Sequence, residues 1–151
     1  MKATLLAWTL AACVLLEAAC GGGSTAPAAL DPGHENCGTC RMVISDASFA
    51  SQIVTSNEEP RFFDDFGCLT RYLELHGVPA SGRIYVADHR THAWIPAGRA
   101  VYTVARNATA PMGSHVIAHE STASRDLDAD AQGGTAMDLR DVPVLASGGS
   151  R

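Results

Sequence analysis

Phe62-Phe63-Asp64-Asp65-Phe66-Gly67-Cys68 is the stretch on which the fold turns. Arg61-Phe62-Phe63 is a short apolar strand or strand end, and Asp64-Asp65 supply N-cap oxygens for a helix. From about Phe66 to His76 that helix places Leu69, Tyr72, Leu73 and His76 on one face, and Gly77 ends it. In this setting the two carboxylates act as cap chemistry and Cys68 as a small buried residue at the helix start.

Upstream, about Met42 to Ser45 and Ala50 to Thr55 are β-like and are separated by Asp46-Ala47-Ser48, which predicts a hairpin. Downstream, Arg83 to Ala87, Ala100 to Val104 and Val116 to His119 read as strands, and Ser121 to Ala131 as a helix stopped by Gly133-Gly134. A last strand is expected about Ala136 to Leu139. The fold class is therefore α+β, with two successive strand-strand-helix-strand units and short antiparallel sheets. One domain over 34–143 is expected, in halves of about 34–80 and 81–143, followed by a frayed tail over 144–151. Asp126, Asp128 and Asp130 are expected on a solvated helix face, because the Gly and terminal Glu of a calcium loop are missing.

The amino terminus has to be set aside before the fold. Met1-Lys2 is a short positive region, Ala3 to Leu16 is an uncharged and mostly apolar stretch of 14 residues, and small residues lead to Cys20. This is the pattern of a secretory signal, too short for the roughly 20 residues that span a bilayer. Its end looks like a lipobox, with residues 1–19 as the signal and Cys20 as the lipidated residue. Cys13 competes, since Leu10-Ala11-Ala12-Cys13 fits the pattern but leaves a very short apolar region. Gly21 to Ala29 is a Gly/Ser/Pro/Ala run, and residues 20–33 are expected to be a lipidated cysteine and flexible tether.

The 151 residues are 46% hydrophobic and 18% charged, and carry a net charge of −5. The only lysine is Lys2, and the ten arginines are scattered without interleaved aromatics, which weighs against nucleic acid as a partner. A chain starting at Cys20 retains Cys37, Cys40 and Cys68. Three cannot all pair within one chain, so at least one thiol is left for another use.

Cys37-Gly38-Thr39-Cys40-Arg41-Met42 puts two thiols and a thioether within six residues, soft donors that suit Cu(I). Zinc would normally call for a second close pair of ligands, and a thioredoxin-like motif would open a helix, whereas this pair precedes a strand-like run. A plain disulfide is the competing explanation. Pro111-Met112-Gly113-Ser114-His115 joins a second thioether to an imidazole; the two share an ion only if Pro111 and Gly113 make a turn. His119 is a weaker candidate on the same strand face as His115. His34, His76, His89 and His92 are expected to be solvated or helix-capping.

Taken together these runs resemble the NosL family, the copper-chaperone lipoproteins that accompany nitrous oxide reductase. The resemblance covers about Cys37 to Val142. It is carried by Cys37, Cys40 and Met42, by Phe63, Asp64, Asp65, Gly67 and Cys68, by Tyr85-Val86-Ala87-Asp88, by Trp94 with Ala97 and Ala100, and by Pro111-Met112-Gly113. It implies two ββαβ units similar to the organomercury lyase core, and Cu(I) held by cysteine, methionine and histidine. On this chain the implied ligands are a thiolate from Cys37 or Cys40, Met112 and an imidazole. Some members place that histidine two residues after the methionine, where this chain has Ser114; His115 is the expected ligand here. The expected metal set is thus Cys37, Cys40, Met42, Met112 and His115.

The resemblance further implies a non-enzymatic carrier that delivers copper to nitrous oxide reductase, receiving it from a copper transporter or an upstream copper chaperone. A lipid anchor would hold it to the membrane facing the periplasm, and Gly21 favours the outer membrane in a Gram-negative host. The alternatives are a thiol-disulfide oxidoreductase or carbon-mercury lyase using the CxxC pair and Cys68, and a docking lipoprotein that holds no metal.

Overall fold

A computed structural model describes residues 24–146; the signal stretch, Cys13 and Cys20 lie outside the described residues. Two small antiparallel sheets carry the chain. The first contains β1 (Ser51–Val54), β2 (Arg61–Phe63), β3 (Arg83–Ala87) and β4 (Trp94–Pro96) in the order β2-β1-β3-β4. The second contains β5 (Val101–Val104), β6 (Val116–His119) and β7 (Thr135–Met137) in the order β6-β5-β7. In each sheet the first strand in sequence is flanked by the next two.

β2 and β3 both run antiparallel to β1, so they are parallel to one another with β1 between them. A parallel return needs a crossover. It is made by α1 (Phe66–His76), whose bounds coincide with the predicted helix. Asp65 caps it by accepting the Cys68 N–H at 2.9 Å, and Gly77, at φ +76°, closes it by donating to Leu73 O at 2.7 Å. Phe66, Leu69 and Leu73 are buried on its inner face, each worth about 1.5–3 kcal/mol of apolar transfer. In the second unit α2 (Thr122–Asp126) lies between β6 and β7.

One hydrophobic core serves both sheets: Phe63, Leu69 and Val86 belong to the same cluster as Tyr102 and Ala118. The Phe66 and Tyr102 rings meet across the units at 5.1 Å, and the Tyr102 hydroxyl donates to Ala97 O at 2.7 Å.

Several sequence expectations shift. Met42 to Ser45 does not pair forward with β1. It folds back, with Cys37 N–H donating to Met42 O, Ile44 N–H to Glu35 O and Gly33 N–H to Ile44 O, each at 2.8 Å. The Asp46 side chain ends this run by capping a 3-10 turn at Ala47–Phe49. The CxxC pair therefore sits at the tip of a hairpin-like arm. β3 belongs to the first sheet through its register with β1, so the division between units falls near residues 97–100 rather than at 80. The helix expected to reach Ala131 stops at Asp126, because Asp128 turns inward. The expected tail begins as α3 (Pro143–Ala146), which puts Leu145 into the core.

The tether is likewise shorter than expected. The buried Gln52 side chain accepts the Ala28 N–H at 2.8 Å and donates to Ala28 O at 3.1 Å, while the Tyr85 hydroxyl donates to Thr25 O. Among the described residues no helix is long and apolar enough to cross a membrane.

Candidate metal centre

The arm and the helix start converge. Gly38 N–H donates to Phe62 O at 2.8 Å, and the Thr39 hydroxyl donates to Cys68 O at the same distance, so the CxxC turn is fastened to β2 and to α1 together. Glycine at position 38 permits this close approach: a Cβ there would come within 2.8 Å of the Arg61 stem and 3.1 Å of the Phe63 ring, and those side chains would have to shift. The result is a group of three free thiols, Cys37, Cys40 and Cys68, with sulfur atoms within 4.8 Å of one another. A metal–sulfur bond of about 2.3 Å places three sulfurs around one ion about 4 Å apart, close to this spacing.

The electrostatics of the group are uneven. Burial opposes ionisation of Cys37, but the N–H groups of Cys40, Thr39 and Asp64 and the Cys40 thiol face its sulfur and hold its pKa below the ordinary cysteine value. Burial and the Cys37 sulfur push Cys40 up. Cys68 lies far above the usual thiol range, first through burial and then through Cys37, Cys40 and Asp65. A thiol in the first turn of a helix is ordinarily acidified; here burial beside other sulfurs outweighs the helix end. Of the three, Cys37 is the thiol whose surroundings most favour the thiolate.

Asp64 lies behind the group, buried, with one carboxyl oxygen lacking a hydrogen-bond partner. Burial and the neighbouring Asp65 raise its pKa. Asp65 accepts the Cys68 N–H on one oxygen and the Ser114 N–H on the other, at 2.9 and 3.2 Å. A Cβ on Gly67 would lie 3.2 Å from Ser114 Cβ, so the turn carrying Met112 is held against the end of α1 that carries Cys68.

That turn is the one the Pro and Gly predict: Gly113 has φ +74° and donates to Ala110 O at 3.0 Å. Met112 is 45% exposed. His115 is exposed, with φ +55°, and its Nδ1 lies 3.2 Å from Ala108 O. A carbonyl only accepts, so Nδ1 is the donor in this contact and Nε2 is the ring nitrogen outside it. Of the expected set, Cys37 and Cys40 are brought together; His115 is not among the clustered ligand atoms, and Met42 is 56% exposed next to the tip of the arm, where its carbonyl accepts the Cys37 N–H. Cys68 joins the group although its helix-start position favours a packing role. The signal available for it was the odd thiol count.

A second group was not expected. His89, just after β3, and His119, at the end of β6, both point to Asp128 Oδ2, from Nδ1 at 2.7 Å and from Nε2 at 2.9 Å. Asp128 is thus buried between two imidazoles, not on a solvated helix face, and His89 is not solvated either. Burial opposes the charge on Asp128, but the bonds from His119, His89 and the Asp130 N–H keep its pKa below the usual carboxylate value.

Comparison with known proteins adds one match. The family model for NosL fits residues 27–146. No curated protein and no solved structure matches the chain. The matched span takes in both sheets, all three clustered thiols and the Met112 turn, and over it the chain belongs to the NosL family, with the copper-related accessory role that membership carries.

Proposed function

We propose that this protein is a Cu(I) metallochaperone of the cell envelope that delivers copper to nitrous oxide reductase for copper-centre assembly. The observation that carries the reading is the convergence of three free thiols. Soft sulfur donors in a low-coordinate set select Cu(I) over hard cations. Cys37 is the most readily ionised of the three, and the thiols give up their protons as the ion is bound. Met112 and His115, on the turn clamped to α1 by Asp65, are the ligands through which the ion leaves, with exposed Met42 beside the CxxC turn. Exchange through such outer ligands lets a tightly held ion pass on without being released free.

Cys20 provides the lipid anchor facing the periplasm, in the outer membrane of a Gram-negative host, and the copper comes from a transporter or an upstream chaperone. The chain is an accessory protein rather than an enzyme. The repeated strand order supports the likeness to the organomercury lyase core that the family resemblance implies, and a direct superposition tests it.

The experiment is transfer. Anaerobic mixing of the Cu(I)-loaded domain with copper-free nitrous oxide reductase should load the reductase, and Met112→Ala should slow that loading while the carrier still takes up Cu(I). Loading at the same rate by free Cu(I) in a buffering chelator contradicts the proposal.

One observation favours a second reading: Asp64, a buried carboxyl whose pKa is raised by burial and by Asp65, adjoins Cys37 through its backbone N–H. A carboxylic acid placed there could protonate carbon as a carbon–mercury bond breaks, leaving Hg(II) on the thiolates. Release of benzene from phenylmercury, lost in Asp64→Asn, would decide for that alternative.

A further inference from the structure

We propose that His89, His119 and Asp128 form a second metal site, separate from the thiols, that takes a borderline divalent ion of the Zn(II) type. Two imidazole nitrogens and a carboxylate oxygen lie within 4.8 Å of one another. This donor set is poor for Cu(I), which prefers sulfur, and for Ca(II) or Mg(II), which prefer oxygen throughout; it suits Zn(II) and its neighbours. Cu(II) would bind such donors too, but three free thiols on the same chain would reduce it.

The group is fixed in place before any ion arrives. Asp88, adjacent to His89, accepts the Arg90 and Thr91 N–H groups on one oxygen and the Glu120 N–H and Ser124 hydroxyl on the other, at 2.8–3.0 Å. His89 N–H donates to Ala118 O at 2.8 Å. The loop after β3 is thereby locked to the end of β6, and His89 and His119 are held with ring centroids 6.2 Å apart. The second oxygen of Asp128 accepts the Asp130 N–H at 2.9 Å. Such outer hydrogen bonds are what orient metal ligands.

Binding requires the donors to spread and the ring protons to move. Bonds of about 2.0–2.1 Å in a tetrahedral site separate donors by about 3.3 Å, so the present N···O distances of 2.7 and 2.9 Å must open by roughly half an ångström. Each imidazole proton now aimed at Asp128 moves to the other ring nitrogen. On His119 that nitrogen, Nδ1, is buried without a hydrogen-bond partner, so the moved proton finds no protein acceptor there, a cost that the metal bonds must offset. Three protein ligands leave a coordination position open. His89 also lines an open polar cleft of about 440 Å³ shared with Asp46, His92, Asn107, Thr109 and Asp130, which gives an ion a hydrated and negatively charged approach.

The test uses the full exported chain carrying Cys37→Ser, Cys40→Ser and Cys68→Ser, titrated with Zn(II) against a chromophoric chelator. One Zn(II) should be retained, and adding Asp128→Asn or His89→Gln should lower the affinity at least tenfold. His92→Gln, which touches only the cleft, should change it less than threefold. Retention of no Zn(II), or equal retention in the Asp128→Asn chain, overturns the proposal. If the thiol-free chain does not fold, Co(II) added to the reduced wild type replaces it. One equivalent should show thiolate-to-metal charge transfer, and a second should show visible bands without it while shifting the His89 and His119 imidazole resonances. Unshifted imidazoles at two equivalents overturn it equally.

Discussion

Asp65 holds Cys68 and Ser114 at once: one carboxylate oxygen accepts the Cys68 N–H at 2.9 Å and the other the Ser114 N–H at 3.2 Å. A single fully buried side chain is therefore both the cap of α1 and the clamp on the Met112 turn from the other half of the molecule. Asp65→Asn keeps an oxygen for Cys68 but offers an amide N–H to the Ser114 N–H. The expected cost is about 1 kcal/mol in denaturant unfolding, the price of a partly buried donor left without its acceptor. Delivery of copper should slow in the same variant with Cu(I) uptake little changed.

The thiols should titrate unequally. With Cys37 below and Cys40 and Cys68 above the ordinary value, thiolate absorbance of the reduced, metal-free domain should rise in one early step followed by two late ones. Cys37→Ser should remove the early step. Three overlapping steps near pH 8.5, the unperturbed value, would contradict the hydrogen-bond arrangement around Cys37.

Acid stability should depend on Asp88. Burial opposes its charge, but hydrogen bonds from Glu120, Thr91, Ser124 and Arg90 hold its pKa at about 2, against 3.8 unperturbed. A carboxyl depressed in the folded state stabilises the fold above its unfolded value and loses that contribution as pH falls through the folded one. Roughly 2 kcal/mol, present at neutral pH, should disappear between about pH 4 and pH 2. Asp128 has the same sign. Asp88→Asn should lower stability at pH 7 and flatten the slope in that window, as read by denaturation at a series of pH values.

How far these features were legible in the sequence differs by kind. α1 was read to the residue because its determinants are local: a capping Asp65, apolar residues at helical spacing and a terminating Gly77. The register of Met42 to Ser45 was not, since alternation alone leaves open which neighbour a strand pairs with; the Asp46 cap turns the chain and sends it back to Glu35 and Cys37. β4 was missed because Trp94–Pro96 is three residues at a sheet edge and includes a proline. Cys37 and Cys40 were marked by their spacing. Cys68 meets them only because Gly38 bonds to Phe62 and Thr39 to Cys68, contacts that no local pattern encodes. His89, His119 and Asp128 come from three loops or strand ends, and the Asp run hid Asp128 among solvated neighbours.

The central claim is that three thiols hold one Cu(I), and the most direct measurement is anaerobic Cu(I) competition on the reduced domain with and without Cys68. The wild type should retain one equivalent against the chelator, with sulfur as the only atom type bonded to copper by X-ray absorption. Cys68→Ser should still fold, yet bind at least tenfold more weakly. Undiminished affinity in Cys68→Ser, or in Cys37→Ser/Cys40→Ser, would contradict it.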